Sequence, residues 1–248
     1  MINALITAIR TLTIIPIPGK DTANLSKSLL FFPVIGIFMG CIVFALYVLA
    51  GLISFKYWGL VSAVALLVVT VITGALHIDG IGDVADAFGG GKSKQDILRI
   101  LKDTKMGAFG ITAIVFDLLL KWLFWRIFLG HGSVHVIISS LVLARCFQAQ
   151  LIMFLPNARQ EGIAAPFSNK TKPMQWGIMI SFVLTVAYLI LLFSWYNVGI
   201  FLVSALIMAA AFAILCKKKI GGITGDCVGA VNELVEIAVL FSGLLVLF

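Results

Sequence analysis

The chain has 248 residues, 61% of them hydrophobic and only 12% charged, with a formal net charge of +7 and a mean hydropathy of +1.13. Such a composition excludes a soluble domain and describes a polytopic membrane protein of all-α class, one integral membrane domain over residues 1–248. The positive charge does not point to nucleic acid, because the basic residues are scattered over separate short segments with no aromatic-interleaved basic stripe.

A bilayer core of about 30 Å takes roughly 20 apolar residues per helix. The first 30 residues hold one apolar stretch broken by Arg10 and then "IIPIPGK", too short to cross, which reads as an interfacial segment rather than a cleaved signal. Seven transmembrane helices follow, near 34–54, 58–76, 108–129, 134–155, 176–194, 198–216 and 228–248. On that path fourteen of the 18 lysines and arginines fall on the side of the N-terminus, and only Lys56 on the other. Positive residues in short loops stay inside, so the N-terminus is expected in the cytoplasm and the C-terminus outside. Four cysteines show no paired metal spacing and read as packing residues, with Cys227 set apart only by its neighbour Asp226.

The second span runs into "HIDGIGDVADAFGGGKS", residues 77–93. On a helix Asp83 lies about 40° from Asp79 and Asp86 about 20° on the other side, so all three share one face. Carboxylates on one face repel unless a cation sits among them, and hard oxygens suit Mg²⁺ or Mn²⁺. The end of this stretch imitates a phosphate loop, but the required glycine is Asp86 and a transmembrane helix precedes it, so that reading fails. His77 is open to metal ligation, base chemistry or a structural role. Next comes "ILRILKDTKMGAFG", where Lys102, Asp103, Lys105, Gly107 and Gly110 precede the third span and the lysines fit phosphate binding beside a divalent metal.

Inside the third and fourth spans, Asp117 and Lys121 stand one turn apart, while Arg145 needs a partner in Asp117 or a substrate phosphate. The last cluster is "GGITGDCVGAVNELVE", where Asp226 and Glu233 share a face and Glu236 lies about 60° further round. The clusters near 80 and 230 hold six of the chain's eleven carboxylates, and both are expected at the cytoplasmic edge around one ligand.

These blocks together resemble the cobalamin synthase family, also called adenosylcobinamide-GDP ribazoletransferase. The resemblance rests on His77, Asp79, Gly80, Asp83, Asp86 and the glycine run; on Lys102, Asp103, Gly107 and Gly110; on "FFPVIG" at 31–36; on "ARQEG" with Arg159, Glu161 and Gly162; and on 221–236, all in order. The family's Thr-Arg-Leu-Pro block reads Thr13, Ile14, Ile15, Pro16 here, without the arginine. The resemblance implies a Mg²⁺-dependent enzyme of the bacterial or archaeal cytoplasmic membrane, its site facing the cytoplasm. A hydroxyl of α-ribazole, or of its 5′-phosphate, would attack the cobinamide-side phosphate of adenosylcobinamide-GDP and release GMP. Metal would be held by Asp79, Asp83, Asp86 and Asp226. Substrate would be bound by Lys102, Gly107, Arg145, Arg159 and Glu161, and the proton taken by His77, Asp103 or Glu233. The substrates and the lipid bilayer are the expected partners, with a homo-oligomer left open. A prenyl or phosphatidyl-alcohol transferase using a metal-bound diphosphate, or a cation- or proton-coupled transporter, are the alternative readings. Against them stand the missing Asn-Asp-x-x-Asp, the missing Ala-Arg after Asp79-Gly80, and acids gathered at one membrane edge rather than at the midplane.

Overall fold

The computed structural model describes residues 1–159, 167 and 171–247, and the described residues form ten α-helices with no strand. They are α1 Ile2–Leu12, α2 Phe32–Leu52, α3 Trp58–Ile72, α4 Leu76–Gly90, α5 Lys94–Ile100, α6 Ala108–Gly130, α7 Val134–Phe154, α8 Lys172–Leu192, α9 Trp195–Ile220 and α10 Gly225–Leu247, with a 3₁₀ helix over Leu25–Phe31 leading into α2. Six segments are long and apolar enough to cross a membrane: Leu25–Leu52, α6, α7, α8, α9 and α10. A seventh crossing exists only if α3 and α4 together count as one.

That pair is the main departure from the expected path. Instead of one helix over 58–76, α3 stops after 15 residues, and α4 leaves at 86° to it. The break has a local cause. Gly74 and Ala75 both take positive φ, 60° and 56°, and a left-handed residue cannot continue a right-handed helix. Part of the carbonyl end thus exposed is satisfied from outside, since the Ile14 N–H donates to the Ile72 carbonyl at 2.8 Å. The short "IIPIPGK" segment therefore finishes α3, and α4 emerges across the bundle end rather than along the bundle.

Helix α7 lies at the centre, buried along most of its length. Its sequence explains this: Ser139, Ser140, Arg145 and Gln148 need protein partners in a low-dielectric setting, so this helix cannot face lipid. Helix α2 approaches through Gly36, where an added Cβ would stand 2.7 Å from the Leu141 carbonyl oxygen, the small-residue contact that lets membrane helices pack closely. Helices α8 and α9 present apolar side chains outward, Trp176, Leu184, Leu191, Leu206 and Ile207 among them, as lipid-facing helices do.

Short contacts stitch the loops into two ends. At one, Ala158 donates to the Ile223 carbonyl at 2.8 Å, Ile223 to that of Pro156 at 2.9 Å, and the Lys219 ammonium to that of Phe88 at 2.9 Å. At the other, the Trp122 indole donates to the Gly59 carbonyl at 2.8 Å, and Tyr47 stacks on Trp58. All of α4 and the start of α10 belong to the first end.

Candidate functional site

Helices α4 and α10 cross at a pair of glycines. A Cβ on Gly80 would stand 2.7 Å from the Asp226 carbonyl oxygen and 3.1 Å from the Gly229 Cα. Only glycine permits that approach. It seats Asp79 and Asp226 on one cleft, together with His77, Gln148 and backbone at Gly80, Gly225 and Gly229. Of the second expected cluster Asp226 meets the first at this end of the bundle, whereas Glu233 and Glu236 do not line the cleft.

Asp83 sits one turn beyond Asp79 on α4 and is half-buried. Burial and then the negative charges of Asp79, Asp226 and Asp86, in that order, push its carboxyl up to about 6. Four carboxylates therefore act on one another here. The nearby cation is Arg159, which lies within electrostatic reach of Asp226 and donates to the Leu98 carbonyl at the end of α5.

Asp86 has a further task. Its two oxygens accept from the Gly107 N–H at 2.6 Å and the Gly110 N–H at 2.8 Å. It caps the first turn of α6 from across space, where helix N–H groups lack partners and a negative charge is favoured. A Cβ at either Gly107 or Gly110 would collide with an Asp86 oxygen, so both glycines serve this cap directly. Gly107, expected in substrate binding, is accounted for in this way.

The other expected residues divide. Lys102 and Asp103 are exposed on the loop before α6, and the Asp103 carboxylate accepts from the Lys105 N–H at 3.1 Å. Glu161 lies outside the described residues. His77 is 2% exposed. Its Nδ1 stands 4.0 Å from Glu233 Oε1, while its Nε2 is buried without a hydrogen-bond partner among the described residues.

Glu233 and Arg145 pair with other groups, and neither lines the cleft of Asp79 and Asp226. They belong to a buried network deeper in the bundle. Lys121 pairs with Glu233, with Glu236 at 3.0 Å and with Asp117 at 3.5 Å. Arg145 pairs with Glu236, and the Asn232 amide donates to both glutamates at 3.1 Å. The expected Asp117–Lys121 pair is present, whereas the partner of Arg145 is Glu236 rather than Asp117. The reason is periodicity: Glu233 and Glu236 lie two and three turns into α10, away from the rim where Asp226 opens the helix.

Sequence reasoning missed Gln148 and Asn232. Gln148 is 2% exposed, donates to the Val228 carbonyl at 3.3 Å, and keeps its Oε1 buried without a partner among the described residues. The signal was present, because Gln148 follows Arg145 by one turn within a span, and polar residues inside membrane helices mark sites.

The arrangement suits a cation bound by oxygen. Several carboxylates act on Asp83 with no lysine or arginine ion-paired to it among the described residues. Among the described residues no three His, Cys, Asp or Glu side chains already stand together as a preformed cage. Mg²⁺ characteristically takes one or two carboxylates and completes its shell with water and substrate phosphate.

Comparison with known proteins finds matches along nearly the whole chain. Residues 4–245 match the family model described as cobalamin-5-phosphate synthase. An adenosylcobinamide-GDP ribazoletransferase from Chlorobium chlorochromatii (strain CaD3) is 39% identical over 256 residues, covering 100% of this chain and 98% of that protein. One from Chlorobaculum parvum is 38% identical over 97% of this chain and 94% of its own length. A more distant one from Clostridium tetani is 31% identical over 92% and 90%. No solved structure matches.

Proposed function

The chain belongs to the cobalamin-5-phosphate synthase family, and on that footing we propose that its α4–α10 cleft joins α-ribazole, or its 5′-phosphate, to adenosylcobinamide-GDP with release of GMP. The observation that carries the reading is the meeting of Asp79, Asp83 and Asp226 at one end of the bundle, made possible by the Gly80–Gly229 crossing. Diphosphate chemistry needs negative charge neutralised and held in place, and clustered carboxylates do this through a divalent cation.

Asp79, Asp83 and Asp226 would hold Mg²⁺, with Asp86 beside them fixing the start of α6. Bound there, the ion supplies charge neutralisation for the diphosphate and for the departing phosphate. Lys102 and Arg159 would balance the remaining phosphate oxygens, since both lie at the same end of the chain's fold. In the transfer, a ribose hydroxyl oxygen forms a bond to the cobinamide-side phosphorus. The bond from that phosphorus to the bridging oxygen breaks, and GMP leaves with the oxygen. The hydroxyl proton passes to a base. Of the three candidates, His77 fits best: its Nε2 lacks a partner among the described residues and its ring lines the cleft, while Glu233 is held by Lys121 and Asn232 and Asp103 by the loop backbone.

The aspartate end would face the cytoplasm, where the basic loops gather, and the membrane would be the cytoplasmic one. The test is turnover by the purified protein in micelles or vesicles given adenosylcobinamide-GDP, α-ribazole and Mg²⁺. Equimolar GMP and adenosylcobalamin are expected. GMP released without a joined corrinoid product would contradict the transfer.

A further inference from the structure

The end of the bundle away from the aspartates carries an open groove of about 880 Å³ between the start of α3 and the last turns of α6, a volume in the range of sites that take small molecules. Its walls are mostly apolar and aromatic, and its permanent cations are Lys56 and Arg126. The rings are fixed in place: the Trp122 indole donates to the Gly59 carbonyl at 2.8 Å, and Trp58 stacks on Tyr47 with centroids 5.4 Å apart. Gly59 leaves room for the arginine, since a Cβ there would stand 3.7 Å from the Arg126 Cδ. Neither cation is ion-paired among the described residues, and the segments at this end, 52–57, 127–133, 192–197 and 244–248, contain no Asp or Glu. Arg126 lies one turn, about 6 Å, short of the end of α6, where a guanidinium on a membrane helix reaches the level of lipid headgroups. The start of α3 has the same sign, because Tyr57 supplies no side-chain cap and the N–H end of a helix favours negative charge.

We propose that this groove binds an anionic phospholipid of the phosphatidylglycerol kind, from the leaflet opposite the aspartates. Its phosphate is held by Arg126 and Lys56, the guanidinium as a two-point donor and the ammonium as a point charge, and its glycerol and first acyl carbons lie along Trp58, Leu60 and Ile127. Choline and ethanolamine headgroups bring a cation of their own towards Lys56 and Arg126, so charge selects against them. Inorganic phosphate meets the same two cations but leaves the apolar walls in water, so the lipid engages more of the groove. A second copy of this chain, joined through the same face about a two-fold axis, would set these cations against their own kind with no acid to balance them.

Native mass spectrometry of the full chain, stripped of lipid in an uncharged detergent and titrated with phosphatidylglycerol or phosphatidylcholine, tests the site. Basic residues elsewhere on the chain retain anionic lipid too, so the readout is the difference between wild type and variants. Arg126→Gln combined with Lys56→Gln should weaken the tightest phosphatidylglycerol step roughly 25-fold, about fivefold for each charge removed, and change phosphatidylcholine binding less than about twofold. Gly59→Leu keeps both charges and fills the groove beside Arg126. A Cβ at Gly59 meets Trp122 at an ordinary 3.6 Å, and leucine is the better helix former, so this variant should fold and weaken the same step even if the double variant proves unfolded by size exclusion. Phosphatidylglycerol held as tightly by folded Gly59→Leu as by wild type, or phosphatidylcholine held by wild type as tightly as phosphatidylglycerol, overturns the proposal. Release of the bound phosphatidylglycerol by inorganic phosphate also overturns it, because the groove would then be a site for free anions.

Discussion

Gly80 of α4 and Gly229 of α10 lie so close that a Cβ on either meets the other helix's backbone: one on Gly80 would stand 2.7 Å from the Asp226 carbonyl oxygen, one on Gly229 3.2 Å from the Leu76 carbonyl oxygen. The distance between Asp79 and Asp226 is set here, by the absence of two methyl groups. Gly80→Ala should push α4 off α10 while leaving the helix itself intact, since alanine is the better helix former. A displacement of about 1 Å between positioned groups costs on the order of 100-fold in rate, so turnover should fall by about that factor. Unchanged kcat in folded Gly80→Ala would show that the crossing does not set the site.

Asp83 gives the most direct test of the proposed metal. Asp83→Asn removes the charge at nearly constant volume and relieves repulsion from Asp79, Asp226 and Asp86. The variant should therefore be at least as stable as the parent without Mg²⁺, yet lose more than about 100-fold in activity through weakened charge neutralisation. EDTA should silence the parent reversibly. Full activity with metal removed, or in the variant, would contradict a role for these carboxylates in holding Mg²⁺.

The same carboxyl predicts a pH dependence. Its folded value of about 6 stands above the ordinary 3.8, so the metal-free folded protein binds a proton here more tightly than the unfolded chain does. Stability from this group is then present at low pH and declines as pH rises from about 4 to 6. Mg²⁺ bound as proposed would displace that proton, so its affinity should weaken below pH 6 and binding at pH 6 should release protons. Calorimetry in buffers of different ionisation enthalpy measures the release, and a Mg²⁺ affinity flat between pH 5 and pH 7 would rule the coupling out.

Much of this was legible in the sequence. Apolar length located the spans because the bilayer demands about 20 residues of each, and the i, i+4, i+7 spacing alone puts Asp79, Asp83 and Asp86 on one helix face. What periodicity cannot carry is a change of direction. Residues 58–76 read as one helix because nothing in Thr73, Gly74 and Ala75 interrupts the apolar run, and the carbonyl left by the break at Gly74 and Ala75 is satisfied by Ile14, 58 positions away from Ile72. Partners across space were likewise hidden: nothing in the spacing of Asp86 shows that its oxygens accept from the N–H groups of Gly107 and Gly110.

Topology offers a prediction independent of the chemistry. On the path expected from the sequence fourteen basic residues fall on the side of the N-terminus and, outside the spans, only Lys56 on the other, and α10 runs from the aspartate end to the opposite one. A reporter fused after residue 248 should therefore read as extracytoplasmic, and one inserted near Lys92 as cytoplasmic. An extracytoplasmic signal near Lys92 with a cytoplasmic one after residue 248 would mean that α3 and α4 do not carry the chain across the membrane, leaving six spans; the four spans between Lys92 and Asp226 keep Asp79 and Asp226 on one side in either case.

The buried network below the cleft should behave differently from the site. Lys121 and Arg145 face three carboxylates, Asp117, Glu233 and Glu236, all at most 3% exposed. Removing one member leaves a charge without its partner, which in buried settings costs about 3–5 kcal/mol, whereas replacing both members of a pair by apolar groups is often neutral. Arg145→Met alone should thus unfold at markedly lower denaturant in mixed micelles, and Arg145→Met with Glu236→Met should recover most of the loss, because Lys121 retains Glu233 and Asp117. A structural pair predicts that activity follows the folded fraction in both variants, with KM unchanged for either substrate. If Arg145→Met is instead as stable as the parent but binds the donor weakly, the guanidinium is engaging phosphate, and the division between network and site is wrong.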